Sequence, residues 1–213
     1  MTATLYCFGE SGNAYKAALT MELAGFASQP RFVDFFGGEA RSAAFRAINV
    51  MGEVPVLVDG ALTLSQSGAI QMPVAEATGR LGGSMPGERA EVLRWILWDN
   101  HKLSSQAGVT RCLSNFLAPE KRPAGVIPFL EARPRAAFAV LDAHLAGRDW
   151  MVGGASTLAD CACAGYLCCP EPFGFVRADW PNIDRWLTGL SALPGWKHPY
   201  DLMPGSPADR APA

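Results

Sequence analysis

The chain has 213 residues, 49% of them apolar and 18% charged, with a formal charge of -2 from 18 basic and 20 acidic side chains. That length buries a sizeable core as one large domain or two small ones, and the composition is neither disordered nor fibrous. No apolar run approaches the roughly 18 to 20 residues of a membrane span, and the near-neutral charge offers no broad footprint for a polyanion, so neither a membrane nor nucleic acid is expected as a partner. The first residues run straight into the strand-like "LYCF" without a basic segment and an apolar stretch behind it, so no secretory signal is expected and the cytoplasm is the default compartment.

Residues 3–8, "ATLYCF", read as a buried strand, and "GESGN" supplies turn formers before a helix. In that helix Ala17, Ala18, Met21 and Gly25 follow helical spacing, a small-residue face suited to close packing on something flat. "PRFVDF", residues 30–35, is the next strand, followed by a helix over 40–48 and loop signals at 49–53. "VPVLV" and "LTLS" flank Asp59-Gly60, which predicts an antiparallel hairpin closed by a two-residue type I′ turn. A helix from about Ser65 to Thr78 completes a strand, helix, strand, helix, hairpin, helix order, a small α/β domain. Pro73 lies inside that helix, where a proline loses a hydrogen bond and crowds the preceding turn, so a kink is expected between Ala69 and Pro73.

Glycines and a proline in "TGRLGGSMPGE", residues 78–88, mark a linker, which sets the first domain at 1–80, the linker at 81–88 and the second domain at 89–213. Beyond it the pattern is helical throughout. Val92, Trp95, Ile96 and Leu103 form one stripe, residues 129–145 carry another, 158–167 is apolar nearly all round, and 182–193 reads as a last helix. In "STLAD" the Thr157 hydroxyl and the Asp160 carboxylate suit a reciprocal cap at a helix start, so Asp160 is read as a structural acid.

The six cysteines include no CxxC pair, and His101, His144 and His198 are the only histidines, so the cysteines are read as small buried hydrophobes and no metal is expected. Two polar features stand out instead. Val54-Pro55 opens a strand, a place where a cis bond leaves the backbone groups of Val54 to pair with a ligand as a strand would. Gln66-Ser67 stands at a helix start, where free N–H groups and the positive dipole end favour an anion; a helix start alone also accounts for these residue types. Together they suit a ligand with a peptide-like middle and a carboxylate end.

In order and spacing, "LYCFGESGNAYKAALTMELAG", "INVMGEVPVLVDG" and "LSQSGAI" resemble the thioredoxin-like domain of cytosolic glutathione transferases. The resemblance continues to "STLADCACAGYL" and "PGWKHPYDLMPG", similar to the C-terminal stretch of bacterial members. It implies a thioredoxin-like N-terminal domain and an all-α C-terminal domain. It also implies a glutathione site in which Val54 holds the cysteinyl backbone beside a cis Pro55 while Gln66 and Ser67 grip the γ-glutamyl end. Ser11 aligns with the serine that stabilises the thiolate in serine-type members, and Asn13 is placed to donate to the same sulfur; the alternative is that Ser11 caps the first helix and Asn13 merely occupies its first turn. Lys16 and Arg41 are candidates for a glycyl carboxylate, and Trp95, Trp98, His101 and Arg111 for the pocket of a small hydrophobic electrophile, although an aromatic at helical spacing is more often core. Gln66 stands where an acid is common. The implied partners are glutathione, the electrophile and a second copy in a homodimer. A glutathione-binding protein with little turnover and a glutathione-dependent disulfide or peroxide reductase are the alternatives.

Overall fold

The computed structural model describes residues 2–205; the last residues of the expected second domain, 206–213, lie outside the described residues. The N-terminal half alternates β1 (Ala3–Cys7), α1 (Gly12–Ala24), β2 (Ser28–Phe32), α2 (Ala43–Ile48), β3 (Val56–Asp59), β4 (Leu62–Ser65) and α3 (Ser67–Thr78). The strands form one mixed sheet in the order β2-β1-β3-β4, with β1 parallel to β2 and antiparallel to β3, and β3 antiparallel to β4. A parallel neighbour needs a crossover connection, and α1 supplies it. This is a thioredoxin-like domain.

Several elements differ from expectation for local reasons. The second strand ends at Phe32 and pairs Pro30 with Leu5; β2 is an edge strand, where a proline is tolerated. The helix expected over 40–48 is split into a single 3₁₀ turn, Glu39–Arg41, and α2, because Ser42 adopts an extended conformation and its Oγ accepts the Phe45 N–H at 3.1 Å. In the hairpin Asp59 pairs with Leu62, so the loop is Gly60-Ala61 rather than Asp59-Gly60. Gly60 has φ 57° and Ala61 has no positive φ, which excludes the type I′ turn. α3 holds Pro73 inside one continuous helix, which a bend at the proline does not interrupt.

The C-terminal half is helical: α4 (Pro86–Trp98), α5 (Ser105–Arg111), α6 (Ile127–Leu145), α7 (Leu158–Ala164), α8 (Pro181–Ser191) and the short α9 (Pro199–Leu202). α4 begins inside the segment read as linker. Two π-helical segments, Asp99–Ser104 and Cys112–Phe116, interrupt the long helical run from α4 through α5, a phase change that a 3.6-residue stripe does not reveal. α7 stops at Ala164, short of the expected Leu167.

One core joins the halves. Tyr15, Leu19 and Met21 of α1 and Ile70 of α3 belong to the same buried cluster as Val92, Phe138, Cys161, Cys163 and Trp186. The small residues Ala14, Ala17 and Ala18 on α1 let neighbouring elements approach closely, as the small-residue face requires. Asp160 does cap α7 with Thr157, and it does more: it also accepts the Met151 N–H at 2.9 Å and the Trp186 indole N–H at 2.8 Å. Burial holds its carboxyl above the usual carboxylate range, more than these donors lower it.

Candidate functional site: a cleft between the two domains

A cleft of about 390 Å³ opens where the β1–α1 turn faces α5, a size suited to a small ligand. Ser11 is the N-cap of α1: its Oγ accepts the Ala14 N–H at 3.1 Å, and its hydroxyl proton has no acceptor among the described residues. The residue is 8% exposed and lines the cleft. Capping and donation into the cleft are therefore compatible, because they use different ends of one hydroxyl. Asn13, in the first turn of α1, also lines the cleft, and its Oδ1 is buried with no hydrogen-bond partner among the described residues.

A smaller recess of about 30 Å³ adjoins the cleft and is lined by Asn13, Val54, Pro55, Gln66 and Ser67. The Val54-Pro55 bond is cis. Gln66 has φ 70° and ψ 118°, an unfavourable region for a side chain with a Cβ, at a cost of about 1–3 kcal/mol. Ser67 is buried as the first residue of α3, where the backbone N–H groups have no intrahelical acceptor. The structure thus brings Ser11, Asn13, Val54, Pro55, Gln66 and Ser67 around two adjoining hollows that share Asn13, Glu53 and Val54.

The other candidates divide. Lys16 is not available to a ligand: it is 1% exposed, its Nζ lies 2.5 Å from Asp99 Oδ2 and donates to Ser104 Oγ at 2.7 Å. Arg41 lies in the 3₁₀ turn and lines neither hollow. Trp95 is core, with its ring 4.2 Å from that of His144, while Trp98 and His101 border a separate groove. Of the four candidates for the electrophile pocket only Arg111 lines the cleft, and its guanidinium is held by Glu171 and by the Glu10 carbonyl. Cys7 is fully buried in β1, and burial pushes its thiol up to about 12. All six cysteines are free, and no group of three or more His, Cys, Asp or Glu positioned for a metal occurs among the described residues.

Residues the sequence reading passed over make up much of the wall. Phe8 stacks on Phe35 at 4.9 Å, Phe36 meets both edge-on, and Phe36 reaches across to Phe116 at 5.2 Å, so an aromatic wall spans the two domains. Tyr166, Gly108 and Cys112 face the cleft from the helical domain, and burial raises the Cys112 thiol against the pull of Arg111. Glu53 and Asn100 border the recess. Glu53, beside the Val54-Pro55 pair, and Phe8, next to the Ser11 turn, had a local signal; Phe35 and Phe36 come from the segment after β2, and the rest are supplied by the helical half, distant in sequence.

A thioredoxin-like domain whose first helix opens onto a cleft completed by a helical domain defines a class of two-domain thiol-handling proteins. The N-terminal domain model of glutathione S-transferases matches residues 1–76, and the C-terminal domain model matches 116–194. The chain is 32% identical over 196 residues to glutathione S-transferase GstB of Escherichia coli strain K12, covering 90% of this chain and 94% of that protein. It is 25% identical over 211 residues to the disulfide-bond oxidoreductase YfcG of the same organism, covering 94% and 90%. Among solved structures, a possible glutathione S-transferase from Rhodopseudomonas palustris superimposes with a TM-score of 0.85 at 29% identity, over 93% of this chain and 98% of that one. The chain belongs to the cytosolic glutathione S-transferase superfamily. No helix among the described residues is long and apolar enough to cross a membrane.

Proposed function

We propose that the chain is a serine-type glutathione transferase that binds glutathione in the recess and adds its thiolate to a small hydrophobic electrophile in the cleft. The observation that carries this reading is the meeting of the Ser11–Asn13 turn with Val54, Gln66 and Ser67 around two hollows that share Asn13 and Val54. In it, the Val54 backbone pairs with the cysteinyl residue beside Pro55, and Gln66 with the α3 N-terminus at Ser67 takes the γ-glutamyl end. An unperturbed thiol, with a pKa near 8.5, is mostly protonated at neutral pH. The free Ser11 proton, at the positive end of α1, stabilises the thiolate, and an Asn13 amide N–H adds a second donor.

Titration calorimetry with reduced glutathione and with S-methylglutathione tests the site: both bind if the reading holds, and binding of neither overturns it. Ser11→Ala separates activation from binding. The expected outcome is retained glutathione affinity, a higher thiol pKa by the ultraviolet absorbance of the bound thiolate, and a fall in turnover on the order of 100-fold; unchanged turnover with every accepted electrophile removes Ser11 from the mechanism. A two-fold homodimer accompanies this reading, supported by the exposed Met72, Leu93 and Leu97 around a groove between α3 and α4. Sedimentation of a 22.7 kDa monomer at micromolar concentration contradicts it. A thiol co-substrate and six free cysteines fit a reducing cytoplasm and a detoxifying role.

The likeness to YfcG favours a second reading, glutathione-dependent disulfide reduction, which uses the same thiolate. Faster reduction of a small mixed disulfide than conjugation of any electrophile would select it.

A further inference from the structure

The C-terminal segment "KHPYDLMPG", residues 197–205, is laid along α1 and ends on the turn that carries Ser11. Tyr15 of α1 donates its hydroxyl to the Lys197 carbonyl at 2.8 Å, and Lys197 Nζ lies 2.6 Å from Glu22 Oε1. At the far end the Gly9 N–H donates to the Pro204 carbonyl at 2.8 Å. A Cβ at Gly9 would lie 2.6 Å from the Tyr200 ring and 3.3 Å from the Gly205 Cα, so the turn meets this segment with no room for a side chain between them.

A second hold reaches the same turn from the helical domain. Arg111, at the end of α5, donates from Nη1 to the Glu10 carbonyl, the peptide oxygen immediately before Ser11. Two distant parts of the chain thus grip consecutive residues, Gly9 and Glu10. Glu171, in the loop between α7 and α8, joins the two holds: its Oε2 accepts from Arg111 Nε at 2.9 Å and from Nη2, while its Oε1 accepts the Tyr200 hydroxyl. Arg111 and Glu171 are both buried. Burial, with Glu171 beside it, raises the Tyr200 phenol above its ordinary range, so it keeps its proton and donates. A buried carboxylate with each oxygen committed to a different partner fixes those partners relative to one another.

We propose that Glu171, acting through Arg111 and Tyr200, is the positioning residue for Ser11: the bridge fixes the Gly9-Glu10 backbone and with it the direction of the Ser11 hydroxyl into the cleft. This rests on the transferase reading, in which that hydroxyl donates to the glutathione thiolate. Ser11 Oγ is already tied to the Ala14 N–H at 3.1 Å, so its remaining freedom lies in the backbone that delivers it, and the bridge removes that freedom. Misplacing a catalytic group by about 1 Å costs on the order of 100-fold in rate. Glu171 and Tyr200 line neither hollow, so their effect passes through Ser11 rather than through the ligand.

The test combines two variants with Ser11→Ala. Tyr200→Phe leaves the ring on Gly9 and removes one arm of the bridge with no change in charge, whereas Glu171→Ala removes both arms. The ultraviolet absorbance of the bound thiolate, titrated against pH, should show a raised glutathione thiol pKa in each. At neutral pH kcat should fall on the order of 10-fold in Tyr200→Phe and on the order of 100-fold in Glu171→Ala. Above the ordinary thiol pKa of about 8.5 the thiolate forms unaided, so kcat should recover toward the parent's there, while affinity for S-methylglutathione stays as in the parent. Added to Ser11→Ala, either change should cost nothing further, because both act on one hydroxyl. Losses that add to that of Ser11→Ala, equal losses at every pH, or a thiol pKa that is unchanged or lowered overturns the proposal; a lowered value would mean that Glu171 acts only as a negative charge. A parent that binds no glutathione, or a Ser11→Ala variant with unchanged turnover, overturns the transferase reading and this proposal with it. If Glu171→Ala folds poorly, Tyr200→Phe carries the comparison alone.

Discussion

At the scale of single residues, Asp160 and Gln66 show what the site and its support each require. Asp160 takes hydrogen bonds from the Thr157 N–H and hydroxyl, the Met151 N–H and the Trp186 indole, all buried. Loss of a cap costs about 0.5–2 kcal/mol, whereas each buried donor left without an acceptor adds about 1–3 kcal/mol. Asp160→Ala should therefore lower stability by more than about 3 kcal/mol in urea unfolding, and a loss confined to the capping range would show that water replaces the carboxylate. Gln66 sits at φ 70°, a conformation a glycine adopts without strain. Gln66→Gly should raise stability by about 1 kcal/mol while weakening glutathione binding, because the strain is relieved and the amide is lost. Gain in both properties would separate Gln66 from the ligand.

At the scale of elements, the last turn of α6 carries His144, whose Nε2 lies 2.8 Å from the Met151 carbonyl and whose ring packs on Trp95. Burial lowers its pKa, the Met151 carbonyl opposing, so the folded protein prefers the neutral ring. The unfolded chain then takes up the proton first. The stability that neutral His144 contributes is complete above the ordinary value of 6.5 and is lost as pH falls through it toward the lower folded value. Melting temperatures followed from pH 7.5 down to 5.5 should fall, and His144→Gln should flatten that slope; an equal slope in the variant assigns the effect to other groups. The π segments act at the same scale. Asp99–Ser104 carries Asp99 and Ser104 inward to Lys16, while Cys112–Phe116 brings Phe116 to the aromatic wall.

At the scale of the molecule, the Lys16–Asp99 pair is the polar counterpart of the shared core. Lys16 comes from α1 of the thioredoxin-like domain and Asp99 from the helical domain, and both are 1% exposed. Removing one charge leaves the other buried and uncompensated, a loss of about 3–5 kcal/mol. Lys16→Met should show that loss, and adding Asp99→Leu should recover part of it, since an apolar pair of similar volume is often tolerated. A double variant no better than Lys16→Met places the cost in packing rather than in the stranded charge. The pair also sets Ser104 against the cleft, so the same variants are expected to alter electrophile turnover more than glutathione affinity.

Much of the fold was legible because its signals are local. Strand and helix periodicity, the Asp59-Gly60 turn region, the Thr157–Asp160 cap and the Gln66-Ser67 helix start each depend on residues a few positions apart, and the family pattern over the first 70 residues follows from them. Their limits were local too: Ser42 broke a helix, and the hairpin closed one residue later than its Asp-Gly pair suggested. Only the tertiary structure decided the rest. Lys16 reads as a surface cation until Asp99, 83 positions away, is packed beside it. Tyr166 reads as one more apolar residue of a buried helix until Gly12 and Gly108 close around its ring and leave its hydroxyl in the cleft. Periodicity reports which face of an element is buried, but it carries no information on which distant element that face meets, and a cleft between two domains is made of such meetings.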